Sequence, residues 1–221
     1  MLETILKMWN RYSYVYIQGL AGTLCLAAIT VLFGTVIGIL LAVLRLSRFK
    51  PFHLFVRFYV WVLRGTPILL QLYFFWIFLP KVVRVNIPDT TCIIIALIVN
   101  ASSYVAEVIR AGIQAVDKGQ MEAARSLGMT GRHAMTRIIL PQAVKNILPA
   151  LGNEFITMIK QASLASVFFI NELTTSYKTV ASATFRQVES IIIAGMIYLL
   201  VTTVLGKMME YAEWRMNRNE R

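Results

Sequence analysis

Charged residues are scarce in this sequence. Only 15% of its 221 residues are Asp, Glu, Lys or Arg, against about 25% in an average soluble domain. Cysteine is nearly missing. Cys25 and Cys92 each stand alone in an apolar stretch, which offers neither a disulfide framework nor a metal-ligand spacing. Both read as packing residues. No phosphate-cradling G-x-x-x-x-G-K-[ST] occurs, and no H-E-x-x-H, C-x-x-C or G-x-S-x-G. His53 and His133 read as solvated or packed side chains. The chain is therefore read as no enzyme in its own right, with no cofactor and no metal. A secretory leader is not expected either, because the first apolar run is too long for one.

Apolar residues are abundant, at 57%, where a soluble domain has about 45–50%. This excludes a soluble globular domain and a disordered tail. Lys and Arg number 22 against 11 acidic residues, a formal charge of +11. A basic patch would suggest nucleic acid. Here the charges fall in short clusters between long apolar runs, which is a membrane pattern, and no nucleic-acid partner is expected.

A spanning helix needs about 20 apolar residues. No charge occurs from Tyr12 to Leu44, so the first span is placed at Gly19–Leu44. Gly34-x-x-x-Gly38 within it suits close helix packing, inside the chain rather than between copies. The second span, Phe52–Leu79, is interrupted by Arg64-Gly65-Thr66-Pro67 and should be kinked or broken. The third is Thr90–Ile109. The fourth, Ile147–Ile170, is interrupted by Asn153, Glu154, Lys160 and Gln161, and the fifth is Ser190–Gly206. The segment Asn171–Glu189 reads as an external loop or a partly re-entrant helix.

Threading five spans sorts the basic residues. Arg45–Arg64 carries five, Arg110–Asn146 six and the tail from Lys207 four, all on one side. The other side carries six: Lys7, Arg11, Lys81, Arg84, Lys178 and Arg186. The positive-inside rule then places the N-terminus outside and the C-terminus in the cytoplasm. The expectation is an all-α, multi-pass membrane protein, one transmembrane domain over 1–221 with a long cytoplasmic loop at 110–146.

That loop has an ordered pattern. Asp117 can cap a helix, with Gln120 three residues on as a variant capping box. Met121–Leu127 is a helix-forming run, and Gly128 suits the left-handed residue that ends one. Glu122 would meet the helix dipole in the first turn, and Ala123 and Ala124 would let a partner surface approach closely. A second helical piece, Gly131–Ile139, leads to Pro141, which is read as a stop before return into the bilayer.

Glu122-Ala123-Ala124, three residues, Gly128, nine residues, then Ile138-x-Leu140-Pro141 resembles the EAA signature of membrane subunits of bacterial ABC importers. Arg64-Gly65-Thr66-Pro67, Tyr104 to Ile113, Asn146 to Ala150 and Asn153-Glu154-Phe155-Ile156 resemble the polar amino acid permease branch. The resemblance runs from about Gly19 to Trp214. It implies a type I ABC importer permease fold of five spans in the bacterial inner membrane, and a second permease subunit, either another copy or a paralogue. It also implies two ATPase subunits, which bind ATP and magnesium, and an extracytoplasmic amino acid-binding protein. Glu122, Ala123, Ala124, Gly128, Ile138, Leu140 and Pro141 would then form the coupling element that sits in a groove of the ATPase. The other reading is an ATP-independent secondary transporter or channel, but such a protein would have no use for this loop.

An amino acid needs polar groups at bilayer depth, and such groups face the bundle interior or a water-filled cavity. The candidates are Gln71, Asn100, Ser103, Tyr104, Glu154, Lys160 and Gln161. Asn100, Ser103, Tyr104 and Glu107 share one helix face, as do Glu154 with Gln161 and Asn153 with Lys160. Glu107 and Arg110, three apart, can simply pair. Arg64 is read as structural or as a contact to lipid headgroups.

Overall fold

The structure is a computed structural model that describes residues 1–46 and 49–218. Arg48 and Arg221 of the charge count lie outside the described residues. Nine α-helices make up most of those residues: α1 (Leu2–Leu46), α2 (Lys50–Gly65), α3 (Ile68–Val83), α4 (Asp89–Gln114), α5 (Lys118–Ser126), α6 (Gly131–Ala134), α7 (Leu140–Gln161), α8 (Leu173–Thr184) and α9 (Gln187–Arg218). A π turn at Met135–Ile139 joins α6 to α7, and a 3₁₀ segment at Ala162–Phe168 follows α7.

Among the described residues, three helices are long and apolar enough to cross a bilayer: Leu2–Arg45, Asp89–Gln114 and Gln187–Met216. The pair α2 and α3 makes a fourth candidate, bent by 110°. The bend falls at the predicted break. Thr66 is extended, as a residue before proline prefers, and Pro67, itself extended, caps the start of α3. The first helix begins well before Gly19, because nothing in Leu2–Gln18 interrupts it and Glu3 pairs with Lys7. The expected fourth span differs most. Its helix is α7, long enough at 22 residues but diluted by Gln142, Lys145, Asn146, Asn153, Glu154 and Lys160, so it is not among the apolar helices.

The apolar surface is not confined to the core. Large apolar side chains such as Phe58, Trp61, Leu199 and Leu200 point outward, as suits hydrocarbon surroundings. Cys25 also faces outward and Cys92 is buried; both are free thiols. The inner seams are close helix contacts. A Cβ added at Gly34 would stand 2.8 Å from the Ala101 Cβ, and one at Gly38 2.6 Å from the Val105 Cγ1. The Gly34–Gly38 stripe therefore serves α1 against α4 within the chain.

The undecided segment after Ile170 forms α8, wedged between α1 and α9. Glu172, fully buried, caps it by accepting the Thr174 and Thr175 amides at 2.8 and 2.5 Å. The Tyr198 hydroxyl of α9 donates to the same carboxylate at 3.1 Å. Thr23 of α1 accepts the Leu173 amide at 3.0 Å, and Ser176 donates to the Val15 carbonyl. Nothing in the sequence pattern distinguished Glu172, since glutamate is an uncommon cap.

Candidate functional site

The loop between α4 and α7 presents α5 on the outside of the bundle. Asp117 caps it through the Gly119 amide at 2.6 Å, while the Gln120 amide bonds the Asp117 backbone carbonyl. Among the described residues no Gln120 side-chain bond closes the box. At the far end the Met129 amide bonds the Ala124 carbonyl and the Gly128 amide bonds the Arg125 carbonyl. This is a Schellman motif, with Gly128 at φ +83° in the left-handed region. Ile113, Val116, Met121, Met135, Ile138 and Ile139 pack with Ala143 and Ile147 beneath the loop and hold it to α7.

Three expectations change here. The helix starts at Lys118, so Glu122 lies beyond the first turn and does not serve the dipole there. Ala124 is turned inward at 5% exposure, leaving Ala123 as the small outward residue. Pro141 does not stop a helix; it stands in the first turn of α7, which continues from the π turn. Proline tolerates a first turn, and the wider π turn before it gives its ring room. Ile138 and Leu140 are half-buried and Pro141 is exposed. Leu127 was missed: it ends α5 at 85% exposure. Glu122 is exposed, with no ion pair among the described residues.

The second region lies at the α2–α3 break. The end of α2 has carbonyls without helical partners. The Gln71 side-chain amide donates to the Leu63 carbonyl at 2.8 Å, to the Thr66 carbonyl at 3.2 Å and to the Thr66 hydroxyl at 2.8 Å. Its oxygen accepts from the Asn100 Nδ2 at 2.8 Å. Gln71 therefore holds the break to α4 and has little bonding capacity left. Tyr59 adds a second clasp, donating to the Val99 carbonyl at 3.0 Å, with its hydroxyl 2.7 Å from Ser102 Oγ. Ser103 is buried and bonds the Asn100 carbonyl in its own helix.

The other candidates keep open capacity. Asn100 Oδ1, Glu154 Oε1 and Gln161 Oε1 are buried without hydrogen-bond partners among the described residues. Tyr104 lies under the Arg64 guanidinium, 5.3 Å from centroid to carbon. Arg64 also approaches Glu107 at 3.6 Å. The structure thus brings Tyr104 and Glu107 to Arg64, which the sequence reading had kept out of the pathway. Lys160 is exposed, and Gln161 lies two turns beyond Glu154. Among the described residues, no three His, Cys, Asp or Glu side chains gather as a metal site.

Glu107 itself is a hub. It accepts from Arg45 of α1 at 2.8 Å and from Arg110 of α4 through Nε at 2.9 Å, and again through Nη2. With Arg64 of α2, one carboxylate gathers three helices.

A family model described as a binding-protein-dependent transport system inner membrane component matches residues 34–218. The chain is 39% identical over 197 residues to the arginine transport system permease protein ArtQ of Bacillus subtilis, across 88% of this chain and 90% of that one. It is 35% identical to a putative glutamine transport system permease protein GlnP of Rickettsia conorii, across 98% and 99%. A crystal structure of an amino acid ABC transporter with histidines matches at TM-score 0.91 and 44% identity, covering 96% of this chain and 98% of that one. An inward-facing methionine ABC transporter, MetNI, matches at TM-score 0.72 and 20% identity, covering 93% and 96%, a likeness of fold alone.

Proposed function

Since this chain belongs to the family of inner membrane components of binding-protein-dependent transport systems, we propose that it is the permease subunit of an ATP-driven importer carrying a polar amino acid across the bacterial inner membrane. Five spans, with the N-terminus outside, are part of that reading; α7 is the span that polar residues line. A second permease subunit completes the pathway, and an extracytoplasmic binding protein delivers the amino acid. Two ATPase subunits bind ATP and magnesium, and this chain hydrolyses nothing. Relatives at 35–39% identity named for arginine and glutamine support the substrate class.

The observation that carries the coupling role is the exposed α5, closed by Gly128 at positive φ and tipped by Leu127. An apolar residue so exposed, on a short rigid helix, suits insertion into a partner's cleft. Residues 110–146 form the coupling loop of a single transmembrane domain, and closing of the ATPases would move α5 together with the α7 it is packed on. Asn100, Tyr104, Glu154 and Arg64 offer opposite charges and unpaired oxygens to an amino acid's ammonium and carboxylate. Uptake by the full complex in proteoliposomes tests the reading. ATP inside the cytoplasmic compartment should drive accumulation; accumulation driven by an ion gradient without ATP would overturn it.

A further inference from the structure

Around Glu107 the charges do not balance. Arg45, Arg64 and Arg110 meet one carboxylate; Arg45, Arg110 and Glu107 are largely withdrawn from solvent, at 20%, 29% and 20% exposure, while Arg64 is exposed at 43%. Arg45 and Arg110 have only their shares of Glu107, apart from the Gln114 oxygen, which accepts from Arg110. Arg45 binds through one Nη, and its remaining N–H donors have no acceptor among the described residues. Half-buried cations in excess call for a counter-anion.

The place for it is visible. A cleft of about 50 Å³, apolar in nearly all of its exposed lining, is bounded by Ala42, Arg45, Arg110, Ile113 and Gln114, with both arginines at its edge. Arg45 is also the first charge after the charge-free run from Tyr12 to Leu44. It therefore marks the level where α1 leaves hydrocarbon for headgroups.

We propose that Arg45 and Arg110 form a binding site for the headgroup phosphate of an anionic phospholipid, seated over Ala42 and Ile113 between α1 and α4. Guanidinium forks match phosphate oxygens in pairs, and basic pockets between membrane helices take such headgroups. Free phosphate shares the chemistry, but the apolar floor and the depth of Arg45 favour the lipid.

Native mass spectrometry of the full-length chain, purified with its accompanying subunits, tests this. The detergent samples are titrated with phosphatidylglycerol or with phosphatidylcholine. Phosphatidylglycerol should be retained about tenfold better, since each basic contact contributes roughly a few-fold to tenfold. Equal retention of the two lipids by the wild-type chain overturns the site, with no variant needed. Gln114→Glu, on the exposed side of α4, puts a carboxylate beside Arg110 and should abolish the preference, as should Arg45→Gln. A preference surviving in folded samples of both variants overturns the assignment. Inorganic phosphate that displaces phosphatidylglycerol at equal concentration makes the free ion the occupant and overturns the lipid.

Discussion

The Gln71 side-chain amide stands 2.8 Å from the Leu63 carbonyl and closes the end of a helix to which Gln71 does not belong. A side chain of α3 thus does for α2 what helix-end side chains usually do locally, and the same group reaches Asn100 of α4. The 110° bend is therefore a fixed corner rather than a loose hinge.

Gln71→Leu tests this corner. It leaves the Leu63 carbonyl and the Asn100 amide buried without a partner, and each such group costs about 1–3 kcal/mol. A loss of roughly 2–4 kcal/mol is expected, read as a lower unfolding midpoint in a detergent denaturation series. An unchanged midpoint would mean that the bend is held by Pro67 and apolar packing alone.

Glu107→Gln probes the hub. Without the carboxylate, three partly exposed guanidiniums repel one another. Because the group keeps some contact with solvent, the expected cost is about 1.5–3 kcal/mol, below that of a fully buried pair. Added salt should recover part of it by screening. A thermal scan in detergent at low and high salt checks both points, and no loss at low salt would show that the arginines are independent of Glu107.

These two cases also show what was legible in the sequence. The break was readable, because Pro67 and the extended residue before it act locally. Gly128 was readable for the same reason: only glycine takes φ +83° without strain. Half of the hub was readable, since Glu107 and Arg110 lie three apart on one helix. Arg45 and Arg64 arrive from other helices, and no spacing announces them. Gln71 was assigned to the pathway because a polar group at depth suggests a substrate, yet tertiary packing gave it a helix end to satisfy. Pro141 was read as a stop because the π turn that accommodates it leaves no mark in composition.

At Gly128 the strain argument gives a graded series. Gly128→Val forces a β-branched residue into the left-handed region, at a cost of about 1–2 kcal/mol or an altered end of α5. Gly128→Asn, which tolerates that region, should do less harm. No atom lies within 4 Å of the added Cβ, so crowding is not the cause. Membrane insertion should persist in both, while ATP-driven uptake falls severely in the first and mildly in the second. Equal uptake in both would remove the backbone of Gly128 from the coupling role.

For the pathway, Glu154→Gln and Lys160→Met should part company. Glu154 is half-buried with an unpaired oxygen, whereas Lys160 points outward. Loss of a charged contact to a bound amino acid costs about 1.5–3 kcal/mol, so apparent affinity should weaken about tenfold or more in the first. The second should stay within about twofold. Unchanged affinity in both would exclude Glu154 from the route.

The most direct measurement is site-specific cross-linking at position 127. In a background where Cys25 and Cys92 are replaced by serine, Leu127→Cys places a reactive thiol at the tip of α5, and the assembled transporter is treated with a short bifunctional reagent. The account predicts an adduct between this chain and the ATPase subunit whose yield changes when ATP is added. An accessible thiol that forms no adduct with the ATPase under any nucleotide condition would contradict it.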